Sequence, residues 1–211
     1  MKRRTARRLL SEADQQVVAA AIAKVESATD AELVTVLARQ ADSYHYVPVL
    51  WAAAIALLTP GILAMTPLWL DLWDLLFAQW IVFIVLTLLL RIPAVMFHLI
   101  PKSILRWRAG NLARRQFLEQ NLHHTRHETG VLIFVSEAER YVEIIADRGI
   151  NQHVSAAQWS AIVESFTRSV RKGDTLNGFL RCVESCGELL KTHVPVSDQK
   201  NELPNHMVLL D

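Results

Sequence analysis

Residues 130–146 read GVLIFVSEAERYVEIIA. The first seven are almost wholly β-branched, aliphatic or aromatic, which predicts a strand buried on both faces. EAER supplies a polar turn. In YVEIIA, Val142, Ile144 and Ala146 alternate with their neighbours and fall on one face, so a second strand should fold back on the first as a hairpin.

Working outward, LVTVLA at 33–38 is another short, continuously apolar run and predicts a buried strand. Before it, Ser11 followed by Asp14 predicts an N-cap, and Val17, Ala21, Ile22 and Val25 lie on one helical face up to about Thr29. After the hairpin, Ser155 and Gln158 form a second capping pair, with Trp159, Ile162, Val163, Phe166 and Val170 at helical spacing. Lys172-Gly173-Asp174 then gives a basic last turn, a glycine stop and a new cap before a stripe of Leu176, Phe179, Leu180, Val183, Gly187 and Leu190. Strands and helices that alternate in this way predict an α/β domain in two parts, 11–40 and 102–193. Residues 1–10 form a basic leading segment, and 194–211, which lacks a periodic apolar face, is expected to be a flexible tail.

Between the two parts the composition changes. Val47–Thr66, VPVLWAAAIALLTPGILAMT, is twenty residues without a charge, and Leu75–Phe97 carries one, Arg91, near its end before Pro93. Each is long enough for a hydrocarbon core of about 30 Å, so 47–97 predicts a transmembrane hairpin. The connecting PLWLDLWD has tryptophans and aspartates but no cation, whereas Lys102, Arg106, Arg108, Arg114 and Arg115 follow the second stretch. The positive-inside rule then places the short loop outside and both termini in the cytoplasm. The basic cluster lies where anionic lipid headgroups would meet it, which makes lipid its expected partner rather than nucleic acid. Leu105, Ala109, Leu112, Ala113 and Phe117 share one helical arc, so a helix should run back from the membrane to the hairpin strand. If the strands at 33–38 and 131–135 pair in parallel, this arrangement is a crossover connection enlarged to hold the insertion.

No cleavable signal is expected, since the basic start runs into the polar SEADQQ. Two cysteines, Cys182 and Cys186, make no disulfide framework and fit a reducing compartment. His123 and His127 lie four apart and would leave one face of a continuing helix, as zinc ligands do. The more economical reading is that His123, His124, Arg126 and His127 sit at the helix end, where cations meet exposed carbonyl groups. Glu128 and Asp147 are acids at strand ends without a catalytic motif. No phosphate-cradling loop, nucleophile elbow or Ser/His/Asp motif occurs. No catalytic, cofactor-binding or metal-binding residue is therefore assigned.

The order of these elements, with Gly130-Val131-Leu132, Arg140 with Val142 and Ile144, Gly149-Ile150, and Gly173-Asp174 followed by Gly178, resembles the TPM-domain family. The resemblance implies a small α/β sandwich. It also implies phosphatase activity, calcium binding, or assembly and repair of membrane complexes. Many members carry Gly-Leu-Glu and a following Asp where this chain has Gly149-Ile150-Asn151 and then Ala156. Loss of two carboxylates weakens any calcium site, because that ion needs several oxygen ligands. The expectation is a membrane-anchored, non-enzymatic partner-binding or complex-assembly factor at the inner face of a bacterial membrane, with a metal-dependent phosphatase as the alternative.

Overall fold

The computed structural model describes residues 10–67, 69–125, 127–197 and 207–210. In chain order the elements are α1 (Glu12–Glu26), β1 (Glu32–Ala38), α2 (Tyr46–Ala64), α3 (Leu72–Leu90), α4 (Pro93–Leu99), α5 (Lys102–Glu119), a 3-10 turn (Leu122–His124), β2 (Gly130–Ser136), β3 (Tyr141–Ala146), α6 (Arg148–Asn151), α7 (Ala156–Arg171), α8 (Thr175–His193) and β4 (Met207–Leu210). They form two compact units, one from residues up to Ala41 together with those from Arg106 onward, the other spanning Asp42–Leu105.

The first unit is a mixed α/β domain on a four-stranded sheet in the order β3-β2-β1-β4. β1 runs parallel to β2, with Thr35 beside Ile133, and parallel to β4, with Thr35 beside Met207. β3 pairs antiparallel with β2, placing Ile144 opposite Ile133. Every residue of β1 and β2 is buried, the polar Glu32, Thr35 and Ser136 along with the apolar majority that drives it. Leu33, Leu37, Val131, Ile133, Val135 and Val142 pack into a core with side chains of α1, α7 and α8. On the opposite face Val34, Val36, Ala38, Leu132 and Phe134 meet Ala109, Ala113 and Phe117 of α5. Two helical layers therefore sandwich the sheet.

Local chemistry sets the helix ends. Ser11 Oγ accepts the Asp14 amide at 3.1 Å while Asp14 accepts the Ser11 amide at 2.9 Å. Ser155 and Gln158 repeat this capping box for α7. Gly173 ends α7's turn at φ +79°, a left-handed conformation that disfavours side chains. The Phe166 and Phe179 rings meet edge to face at 4.9 Å and join α7 to α8.

Four expectations need correction. In the first half of α1 the buried valine is Val18, in line with Ile22 and Val25; Val17 is 48% exposed, because the apolar arc lies one residue further round. Asp174 precedes α8 but makes no side-chain cap; its carboxylate instead accepts from Asn177 and Arg181. The helix expected to reach His123–His127 stops at Glu119, where Asn121 turns left-handed at φ +56°. The stretch 194–211, expected to be a tail, contains β4 and a bridge between Thr29 and Pro195. Four residues are too few to show a period, and β4 is specified by the open edge of β1 that it pairs with. The basic segment 1–10, apart from Leu10, and Arg126 lie outside the described residues.

The second unit holds two long apolar helices, α2 and α3, and the short α4. Asp71 and Asp74 form a capping box that starts α3. α2 buries small residues, Ala52 and Ala56, while Leu57, Leu58 and Ile62 stand outward at 61–71% exposure. α3 buries only Leu90. Arg91 ends α3, and Ile92 turns extended ahead of Pro93, as a residue preceding proline prefers. Tyr44, Val47, Met96 and Ile100 close a small cluster of their own.

Candidate functional site

The acids flagged by the sequence, Glu128 and Asp147, come together where β2 begins and β3 ends. Thr125 Oγ1 accepts the Thr129 amide at 2.9 Å, and Thr129 donates its hydroxyl to the Asp30 carbonyl at 3.0 Å, which pins the turn. Glu128 is held left-handed at φ +55°, and its carbonyl accepts the Gly149 amide at 3.0 Å. A Cβ on Gly149 would stand 2.3 Å from the His127 carbonyl oxygen, so only glycine fits this approach. Asp147 Oδ1 accepts the Arg148 amide at 2.7 Å and starts α6; Oδ2 is buried without a partner among the described residues. The Arg148 guanidinium lies 4.0 Å from Glu128.

This corner does not fit a metal as the family resemblance would require. Among the described residues, no three His, Cys, Asp or Glu side chains converge. The 3-10 turn ends the helical register, so His123 and His127 do not share a helix face, and the His123 ring instead lies tilted by 51° against that of His124, with centres 4.1 Å apart. Where relatives carry an acid, Asn151 donates to the Ala146 carbonyl at 2.6 Å, and Ala156 opens α7. Uncharged side chains occupy both positions, which leaves the corner short of the oxygen ligands that a hard cation needs.

A second locus was not singled out by the sequence. Tyr141 and Glu143 share the face of β3 opposite Val142 and Ile144, and the phenol donates to the carboxylate at 3.0 Å. Burial raises the Glu143 carboxyl above its ordinary range, opposed by that hydrogen bond and by Arg114. Burial, then the charge of Glu143, pushes the Tyr141 phenol up to about 12. The alternation that puts Tyr141 and Glu143 on one face was visible, but not that α5 covers it.

An acid whose folded pKa is raised favours folding while protonated, and that contribution is lost as pH rises from the unfolded value through the folded one. Glu143→Gln should therefore gain stability relative to the parent between pH 4 and pH 7, by less than about 1 kcal/mol since the group is partly solvated. Denaturation at both pH values checks this, and an unchanged difference would refute it.

The basic residues Lys102, Arg106, Arg108, Arg114 and Arg115 all lie on α5, and each except Arg108 is exposed. Trp107 is 59% exposed, with the Arg108 guanidinium 5.0 Å from its ring centre. Arg115 pairs with Glu119 at 3.3 Å. Finally, an open groove of about 780 Å³ runs along the outer edge of β3 beside α7, lined among others by Val142, Glu143, Ile144, Asn151, Trp159 and Glu164.

Residues 95–189 match the TPM domain family. That match places a TPM domain within this stretch, and the fold is TPM-like. The solved structure of the BA42 protein from the psychrophilic bacterium Bizionia argentinensis is similar in fold, with a TM-score of 0.61 over 97% of each chain at 17% identity. No curated protein matches the chain.

Proposed function

We propose that this chain is an integral protein of the bacterial cytoplasmic membrane, with α2 and α3 crossing the bilayer and the TPM domain serving in the cytoplasm as a non-enzymatic partner-binding or complex-assembly module. The observation that carries the proposal is the exposure of the two apolar helices. Each has 19 residues, about 28 Å at 1.5 Å per residue, yet only 22% and 0% of their apolar windows are buried within the protein. The core helix of a soluble domain hides such a surface; here Trp80, Ile81, Ile84, Val85, Leu88 and Leu89 of α3 are all exposed. Between the helices, the buried Ala52 and Ala56 permit the close approach usual for neighbours in lipid.

The charge pattern supports an inner location for both flanks. The cationic side chains of α5 would meet anionic headgroups, at about 1 kcal/mol for each residue near the surface. The partner-binding role rests on the TPM domain and on the poor fit of its acids to metal chemistry.

Two measurements test the reading. A thiol introduced as Leu70→Cys should label from outside intact cells, and one introduced as Asn201→Cys should not; the native Cys182 and Cys186 are buried and will compete little. Reversed labelling would sink the topology. Crosslinking in native membranes followed by affinity purification should recover a partner near equal stoichiometry. Recovery of the chain alone, with phosphate release that fails in Glu128→Gln or Asp147→Asn, would transfer the assignment to a metal-dependent phosphatase.

A further inference from the structure

α5 puts its two sides to different uses. Ala109, Ala113 and Phe117 press on the sheet, and Gly110 lets the helix lie close, since a Cβ there would stand 3.3 Å from the Tyr141 hydroxyl oxygen. Trp107, Asn111, Arg114 and Leu118 follow at helical steps of four, three and four, which sets them in one line on another side of the helix. Trp107 is 59% exposed and Leu118 55%, with about 16 Å between them along the axis at 1.5 Å per residue. Exposed apolar side chains are ordinary when scattered singly, but these two share a line with cations.

Arg114 lies within the line, its guanidinium donating to Asn111 Oδ1 at 3.3 Å, and the Arg108 guanidinium stands 5.0 Å from the centre of the Trp107 ring. Arg115 is next to Arg114; its exposed pair with Glu119 holds the cation weakly. Between Asp74 and Glu119 the chain carries no acidic residue. The helical layer on the other face of the sheet differs, because α7 and α8 interleave their cations with Glu164, Glu184 and Glu188. An anionic surface is therefore drawn to the α5 side of the sandwich.

We propose that α5 lies flat in the headgroup layer of the cytoplasmic leaflet, with Trp107 and Leu118 dipping toward the acyl chains and Arg114 and Arg115 meeting lipid phosphates. Tryptophan and arginine in one stripe suit that boundary, where an apolar ring body and a cationic tip are both satisfied. The chain itself favours this occupant, since residues 91–101 alone separate the end of α3 from the start of α5 and limit how far the helix can stray from the bilayer. The TPM domain then rests on its α5 layer and turns α7 and α8 to the cytoplasm, which leaves that layer open to a protein partner. This assignment rests on the reading of α2 and α3 as membrane spans and adds the face by which the domain meets lipid.

The test uses the full-length chain reconstituted in vesicles of phosphatidylcholine with a minority of phosphatidylglycerol. A fluorophore is attached at Leu118→Cys or, on the far layer, at the exposed Glu164→Cys; the native Cys182 and Cys186 are buried. Lipids carrying a nitroxide high on the acyl chain should quench the first label and spare the second. Quenching should weaken in phosphatidylcholine alone and in high salt, and Arg114→Gln or Arg115→Gln should each lower the docked-to-free ratio about fivefold. Equal quenching of the two labels, stronger quenching at residue 164, or no change when phosphatidylglycerol is omitted would overturn the proposal. A label at residue 118 that is shielded from aqueous iodide yet untouched by the nitroxide would overturn it in favour of a protein covering this face. Alkaline extraction keeps the two readings apart. A chain that stays in the membrane while the label at residue 118 escapes quenching defeats the lipid contact of α5 and leaves the spans standing, whereas a chain that is extracted defeats the membrane assignment itself.

Discussion

Gly130→Ala is expected to destabilise the α/β domain by about 3 kcal/mol, at the upper end of what overpacking usually costs. The added Cβ would stand 2.2 Å from the Leu122 carbonyl oxygen and 2.9 Å from that residue's carbonyl carbon. These are backbone atoms of a turn whose Leu122 side chain is completely buried against Val34, Phe134 and Phe117. The turn cannot yield without opening that cluster. Nor can β2 move away freely, because the Gly130 carbonyl holds the end of β3 through Asp147. Gly61, inside α2 with no atom within 4 Å of its would-be Cβ, provides the control; alanine there relieves the helix of a residue about 1 kcal/mol less favourable. Chemical denaturation of both variants decides the matter. A Gly130→Ala variant within about 0.5 kcal/mol of the parent, the range expected for surface substitutions, would show that the turn yields.

Ile81→Arg carries the second large effect, and its sign separates two views of α3. Ile81 lies at the middle of the helix and is 61% exposed. If the helix crosses a bilayer, arginine at its centre costs about 3 kcal/mol of insertion free energy, on the order of a hundredfold in the inserted fraction. If the helix lay in water, exchanging an exposed isoleucine for arginine would change stability by no more than about 0.5 kcal/mol and would raise solubility. A membrane-insertion reporter fused after α3 measures the first quantity. Full insertion of the variant would count directly against the membrane assignment.

How far the sequence disclosed these features depends on how local the governing physics is. β2 and β3 were legible because a strand's burial and a hairpin's alternation are written in adjacent residues. α1 and α7 were legible because a capping box is a chemical signal contained in four consecutive residues. β4 was not, since a four-residue strand has no period and its partner β1 lies far away in the chain. The end of α5 was carried by Asn121, a residue type able to terminate helices in the left-handed conformation. Reading apolar spacing alone carried the helix past it and set His123 and His127 on a face that does not exist. Glu143 was passed over for a related reason. Its alternation marks the side of β3 opposite Val142 and Ile144, and only tertiary packing reveals that α5 covers this side as well.

The parallel pairing of β1 with β2 also sets a timetable. β1 leaves the ribosome before the whole of Arg39–Thr129, the stretch that holds α2, α3 and α5. At ordinary elongation speeds of about 5–20 residues per second, its neighbour arrives on the order of 5–20 s later. For that interval seven residues destined for complete burial lack their central partner strand. Early delivery of α2 and α3 to the bilayer would keep the nascent chain at a surface and away from other exposed strands while β1 waits.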